Sequence, residues 1–271
     1  MSHFLYCLNG STIRTTPVLT QIEVAAKAGY EGIELWHDKI DEHIAQGGTL
    51  EEVRHALDDH GLAVPTTIYV RDWFDTQGDE HAQALEECKR CMTHAVVLGA
   101  PHIIAAPPSG RADYDLGARN YRELLEIGMA LGVKPAMEFL GFVDQFTTIE
   151  DALEIMEKSG HPAASTILDP FHVFRGGGTI ESIAKLKSSQ IAISHFNDAP
   201  VEPSREQQHD SDRVMPGEGH LDLRRYLDLL IQVQYDRYLS LELFREDLWV
   251  QDPYDVARIG LEKMREVVES R

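Results

Sequence analysis

Short apolar runs alternate with longer amphipathic stretches from one end of the chain to the other. Eight of these runs read as buried strands: FLYCLN (4–9), GIELW (32–36), AVPTTIYV (63–70), HIIAAP (102–107), KPAMEFL (134–140), STILD (165–169), IAISHF (191–196) and YLSLELF (238–244). The stretches between them have helical length and carry helix-end signals. Pro17 stands where a missing N–H costs nothing, and Gly29 closes that helix before the second strand. Thr49 and Glu52 have capping-box spacing ahead of a helix that ends at Gly61, and Thr148, Thr179 and Asp222 open three later helices from a polar cap. Eight repeated strand-then-helix units predict an α/β fold, the (β/α)8 TIM barrel. An open doubly wound sheet has less support, because the turn after the first strand, NGSTIRTTP, lacks the G-x-G-x-x-G of a dinucleotide site.

Length agrees with one barrel: 271 residues against about 250 for the fold. No Pro/Ser-rich or low-complexity linker interrupts the series, so residues 1–271 are expected to form a single domain. The longest connection, about 197–220, has the length at which a loop in a compact domain is usually functional. With 45 acidic and 25 basic residues the net charge is −20, which repels a phosphate backbone and argues against nucleic acid as partner. No apolar run approaches the roughly 18 residues of a membrane span. The start, MSHFLYCLNGSTIRTT, lacks a signal-peptide layout, so a cytoplasmic location is expected. Three cysteines cannot form a paired disulfide framework. Cys88 and Cys91 read as helix-face residues, since no second C-x-x-C completes a zinc site.

Candidate chemistry gathers at strand ends, which converge on one mouth in a barrel. The fifth run carries Glu138 near its end, the sixth Asp169, the seventh His195 and the eighth Glu242. Each alone is more often a loop hydrogen-bonder or a satisfied core residue. Together, inside apolar runs where an ionised group is costly without a partner, they point to a shared cation. Three carboxylates and an imidazole suit one divalent metal ion: Mn²⁺, Mg²⁺, Co²⁺ or Zn²⁺. Glu34 and Trp36, with His37 just beyond, close the second run, and Tyr69 lies near the end of the third; pocket wall and rim packing are equally open for them. Asp144 and Asp198 follow Glu138 and His195 closely enough to orient a ligand, while His209 reads as solvated loop. Phe142, Phe146, Phe171 and Phe174 either shield the site or belong to the core. Gly176–Gly178 make only a weak phosphate cradle, so an unphosphorylated substrate is expected.

The segments MEFLGFVDQFTT, ILDPFHVFRGG, ISHFND, DRVMPGEGHLDL and LSLELFRED resemble the xylose isomerase-like TIM-barrel superfamily of sugar isomerases and epimerases. Within it the chain is most similar to the inosose (2-keto-myo-inositol) isomerases, and more distantly to ketose 3-epimerases. The likeness runs through essentially the whole chain and is densest from Glu138 onward. It implies the same four metal ligands, with Glu138 and Glu242 also acting as the acid/base pair on opposite sides of the substrate. It further implies substrate contacts at His172 and Arg213, a pocket walled by Glu34, Trp36 and Tyr69, and a second substrate-contacting carboxylate at Asp144.

The implied activity is a divalent-metal-dependent isomerase or epimerase of a keto-sugar or keto-cyclitol, moving a proton through a metal-bound enediolate. Its partner is a small molecule, and a homo-oligomer is compatible with the family. The alternative on the same site is a lyase, either a keto-cyclitol dehydratase or an enzyme that β-eliminates a keto-glycoside. A remoter one is DNA repair, because the endonuclease IV family shares the barrel. That family needs further histidines, including an Asp-x-His pair that the 197–220 loop lacks, and the third run offers Tyr69 where that family has histidine.

Overall fold

Each of the eight apolar runs forms a strand in the computed structural model, which describes residues 4–270. They are β1 (Leu5–Asn9), β2 (Gly32–Trp36), β3 (Thr66–Val70), β4 (His102–Ala105), β5 (Lys134–Met137), β6 (Thr166–Leu168), β7 (Ile191–His195) and β8 (Tyr238–Leu241). All pair in parallel, in sequence order, and β1 joins β8 through Leu8↔Leu241 to close the barrel. The runs overshoot the strands most at β5 and β8. There the ladder stops at Met137 and Leu241, and the next residue, Glu138 or Glu242, belongs to the mouth.

Around the strands lie α1 (Val18–Ala28), α2 (His37–Ala45), α3 (Leu50–His60), α4 (Gly78–Val97), α5 (Tyr114–Leu131), α6 (Ile149–Ser159), α7 (Pro170–Arg175), α8 (Leu223–Gln232), α9 (Glu246–Trp249) and α10 (Pro253–Glu269). Gly29 and Gly61 end α1 and α3 at φ 95° and 66°, the left-handed conformation that glycine adopts without steric cost. Thr49 and Thr148 both form full capping boxes, with Glu52 and Asp151. After Thr179 the chain makes a 3₁₀ helix, Ile180–Lys185, in place of the expected α-helix. The crossover from β6 is shared with α7, which starts directly at Asp169, so little chain remains for a second full helix.

The barrel interior is filled by Ile68, Ile104, Ala136, Ile167, Ala192 and Ile193, so it is a packed core with chemistry only above it. Leu8, Ile33, Leu35, Leu57, Leu124 and Leu229 belong to the larger layer between strands and helices. Cys88 and Cys91 are buried on α4 in that layer. Among the described residues no helix is long and apolar enough to cross a membrane.

Candidate active site

Four neighbouring strands deliver the charged centre. His195 is the last residue of β7, Glu138 and Glu242 follow β5 and β8 directly, and Asp169 is the N-cap of α7 at the end of β6. The Asp169 carboxylate accepts the backbone N–H of Phe171 at 2.8 Å, a cap that also aims its second oxygen at the mouth. His195 Nδ1 stands 3.0 Å from Glu242 Oε2, 3.6 Å from Asp169 Oδ2 and 3.8 Å from Glu138 Oε1. One atom each from Glu138, His195 and Glu242 lies within 4.8 Å of the others. Asp169 faces the same centre but is shared, with Arg213 Nη1 at 3.1 Å and Asn197 Nδ2 at 3.2 Å.

Arg213, for which the resemblance implies a substrate contact, is 1% exposed. Its guanidinium donates to Glu242 and to His172 Nε2 at 2.8 Å, pairs with the Asp210 carboxylate at 2.7 Å, and lies 4.9 Å from the Phe171 ring. On the other side of the ring the Gly141 N–H lies 3.3 Å from His172 Nδ1. A neutral imidazole has a single acceptor nitrogen, so it accepts from Arg213 or from Gly141 but not from both. The 197–220 loop is fastened back by an antiparallel Asp198↔Val214 bridge. The Asp198 carboxylate accepts the N–H groups of Ala199, Gly217, Gly219 and Leu221, which makes it the loop's anchor and not an orienter of ligands.

Glu138, Glu242, His172 and Arg213 open onto a cavity of about 570 Å³, walled also by Trp36, Tyr69, Phe142 and Phe244. Two sequence-predicted pocket residues are elsewhere. Glu34 is fully buried beneath the mouth and does not line the cavity, because β2 turns its side chain into the barrel two residues before Trp36. Asp144 is exposed and absent from the cavity lining, on the outer side of the loop after β5. His209 is exposed, and Phe146 belongs to the core. Two amides outside the charged set, Asn9 and Asn197, are also buried in the centre. Asn9 ends β1, so the strand-end rule finds it once uncharged side chains are admitted.

Burial raises the Glu138 carboxyl well above the usual range, and the neighbouring Glu242 charge adds to this. Burial also opposes ionisation of Glu242 and Asp169, but His195 and Arg213 hold Glu242 below its ordinary value, and Arg213 with His172 does the same for Asp169. Burial disfavours the His195 charge, yet Glu242 and Glu34 overcome it and raise that imidazole well above normal. Burial lowers His172 and favours its neutral ring. The centre therefore demands positive charge. His195 Nδ1 is buried without a properly formed hydrogen bond, and three carboxylates converge on it. One nitrogen and three oxygens are a donor set that could hold a divalent cation.

The model of the xylose isomerase-like TIM barrel family matches residues 22–267. The chain is 28% identical over 272 residues to an inosose isomerase from Halalkalibacterium halodurans, covering 97% of this chain and 95% of that protein. It is 24% identical over 235 residues to a 3-dehydroshikimate dehydratase from Pseudomonas putida, covering 83% of this chain but 36% of the relative. A crystal structure of the IolI protein with a bound zinc atom has a TM-score of 0.91 at 24% identity, over 98% of both chains. Since the match runs from α1 to the final helix and takes in all four charged strand ends, this chain belongs to the xylose isomerase-like TIM-barrel family.

Proposed function

We propose that this chain is a divalent-metal-dependent isomerase or epimerase of an inosose-like keto-cyclitol or keto-sugar, formed by one domain over residues 1–271. It would act on a small molecule in the cytoplasm, in inositol metabolism. The observation that carries the reading is the pair of glutamates, Glu138 and Glu242, that open onto the cavity and meet at the buried His195 behind it. A merely binding barrel has no use for two basic carboxylates on one ligand. Relatives named inosose isomerase that align over nearly the full chain support the substrate class.

Glu138, Asp169, His195 and Glu242 would hold the ion, and the donor set suits Mn²⁺, Mg²⁺, Co²⁺ or Zn²⁺. When bound, it supplies Lewis acidity that stabilises negative charge on a substrate oxygen. The chain's own residues do the rest. One glutamate takes the C–H proton next to the carbonyl, leaving an enediolate. The other carboxyl returns a proton to the former carbonyl carbon while the hydroxyl proton passes from one enediolate oxygen to the other, giving the isomer, or returns it to the original carbon from the opposite face with the oxygens unchanged, giving the epimer. Arg213 and the neutral His172 ring would hold hydroxyls and place donors beside the developing oxyanion. Trp36, Tyr69, Phe142 and Phe244 exclude water from it.

Incubating purified protein and Mn²⁺ with inosose and with free ketoses in D₂O, followed by NMR, tests this. Deuterium is expected in the carbon skeleton of a product with the substrate's formula. The dehydratase relatives favour a second reading, in which the same proton abstraction is followed by departure of the β-oxygen. Loss of water or of an aglycone would assign that chemistry instead.

A further inference from the structure

We propose that Glu34, on the side of the barrel that supplies no ligand, is a positioning residue that fixes which nitrogen of His195 faces the metal centre. This rests on the proposed metal reading for its purpose, though not for its geometry. Glu34 is fully buried and reaches no part of the cavity. A carboxylate there is costly unless every lone pair is used. It has four partners, from four strands: Asn9 Nδ2 at 3.1 Å, the hydroxyls of Thr66 and Ser240, and His195 Nε2 at 3.3 Å. The amide and two hydroxyls alone would make burial tolerable. The fourth partner is the imidazole of the charged centre.

An imidazole has two nitrogens, and here they face opposite ways. Nε2 points to Glu34, while Nδ1 points to Glu242, Asp169 and Glu138. With Nε2 donating its hydrogen to Glu34, Nδ1 presents a lone pair to the centre when a cation takes its place there. The reverse tautomer would aim an N–H where a ligand atom is required. A carboxylate behind a ligating histidine also raises its basicity, and loss of such a partner typically weakens metal binding about 10–100-fold.

Asn9 ties this clamp to the cavity. Its two N–H groups go to Glu34 Oε2 and to Glu242 Oε1 at 2.9 Å, and its oxygen accepts from Trp36 Nε1 at 2.8 Å and from the Ser11 N–H at 3.0 Å. All four positions are used, so a flipped amide would set its oxygen against two carboxylates. Glu34 is thereby held in place by a residue that also holds Glu242.

The test compares the full-length protein with Glu34→Gln and with Thr66→Val, which removes a different Glu34 partner. Mn²⁺ affinity is measured by calorimetry on metal-stripped protein. Glu34→Gln is expected to bind about 10–100-fold more weakly, with its thermal midpoint close to that of the parent, whereas Thr66→Val keeps the parent affinity. In parallel, imidazole NMR of the metal-stripped protein should show a slowly exchanging His195 Nε2 proton that Glu34→Gln loses and Thr66→Val retains. Unchanged affinity in Glu34→Gln, or persistence of that proton signal, overturns the proposal. If the parent binds no divalent ion, the metal reading fails, and the proton signal alone then decides the role of Glu34. Should Glu34→Gln not fold, the parent spectrum decides: absence of the protected Nε2 proton refutes the clamp, and its presence supports it.

Discussion

Strands β5 to β8 bring Glu138, Asp169, His195 and Glu242 to the mouth, whereas β1 to β4 end in Asn9, Trp36, Val70 and Ala105. The backbone unit is the same in both halves, so the difference lies in the side chains placed at equivalent heights. One half gathers like charges; the other gives walls and clamps. The contrast is sharpest between two glutamates. Glu34 has four hydrogen-bonding partners and cannot move, while among the described residues no donor is within hydrogen-bonding distance of Glu138, which stands 3.8 Å from His195 Nδ1 and 4.0 Å from His172 Nε2. A carboxylate fixed on all sides can orient a neighbour but cannot exchange a proton with a substrate. One that opens onto the cavity can.

The largest expected effect falls on the charged half. Glu138→Gln or Glu242→Gln should lower kcat by about 10²–10⁴ at saturating metal, the usual worth of a general acid or base. Activity that returns as the metal concentration is raised would mean that these residues only hold the ion, and the contrast with Glu34 would collapse. Next in size, Arg213→Met should destabilise metal-stripped protein by about 3–5 kcal/mol in denaturant titration, because Asp169 and Glu242 lose their buried counter-charge. Added divalent ion should recover part of that loss; no change at all would show that the charges of this half do not strain it.

On the neutral half, Trp36→Phe removes the hydrogen bond to Asn9 and should cost about 1 kcal/mol. The expected outcome is a severalfold higher KM with kcat nearly kept, since a wall binds ground and transition states alike. A fall in kcat instead would give Trp36 a part in the chemistry. The smallest effects are the helix caps. Thr49→Ala and Thr148→Ala, one in each half, should each lower unfolding free energy by about 1 kcal/mol and leave activity unaltered. Inactivation by Thr148→Ala alone would reveal that the charged half depends on α6 for its alignment.

What could be read without coordinates is what depends on neighbours in sequence. Apolar density within five to eight residues locates all eight strands, and a threonine three residues ahead of an acid locates two helix starts, because these choices are made by local burial and local hydrogen bonds. The four charged strand ends follow from the same logic, since parallel strands of a barrel point one way. Depth and direction were not readable. Glu34 stands one residue before Leu35, which faces the helices, so alternation turns it inward; that it stops beneath the mouth and meets His195 depends on the stagger among strands and on register pairs such as Asn9↔Glu34. Arg213 is singled out in the sequence only through the resemblance, and it is the fastening of its loop by Asp198 that carries it between two carboxylates. Sequence alone thus determined the barrel and which strands bear charge, because those properties are set within each strand–helix unit. Which carboxylate clamps, which opens to the cavity and which arginine is buried between them was decided by tertiary structure, because each depends on contacts between strands and loops far apart in the chain.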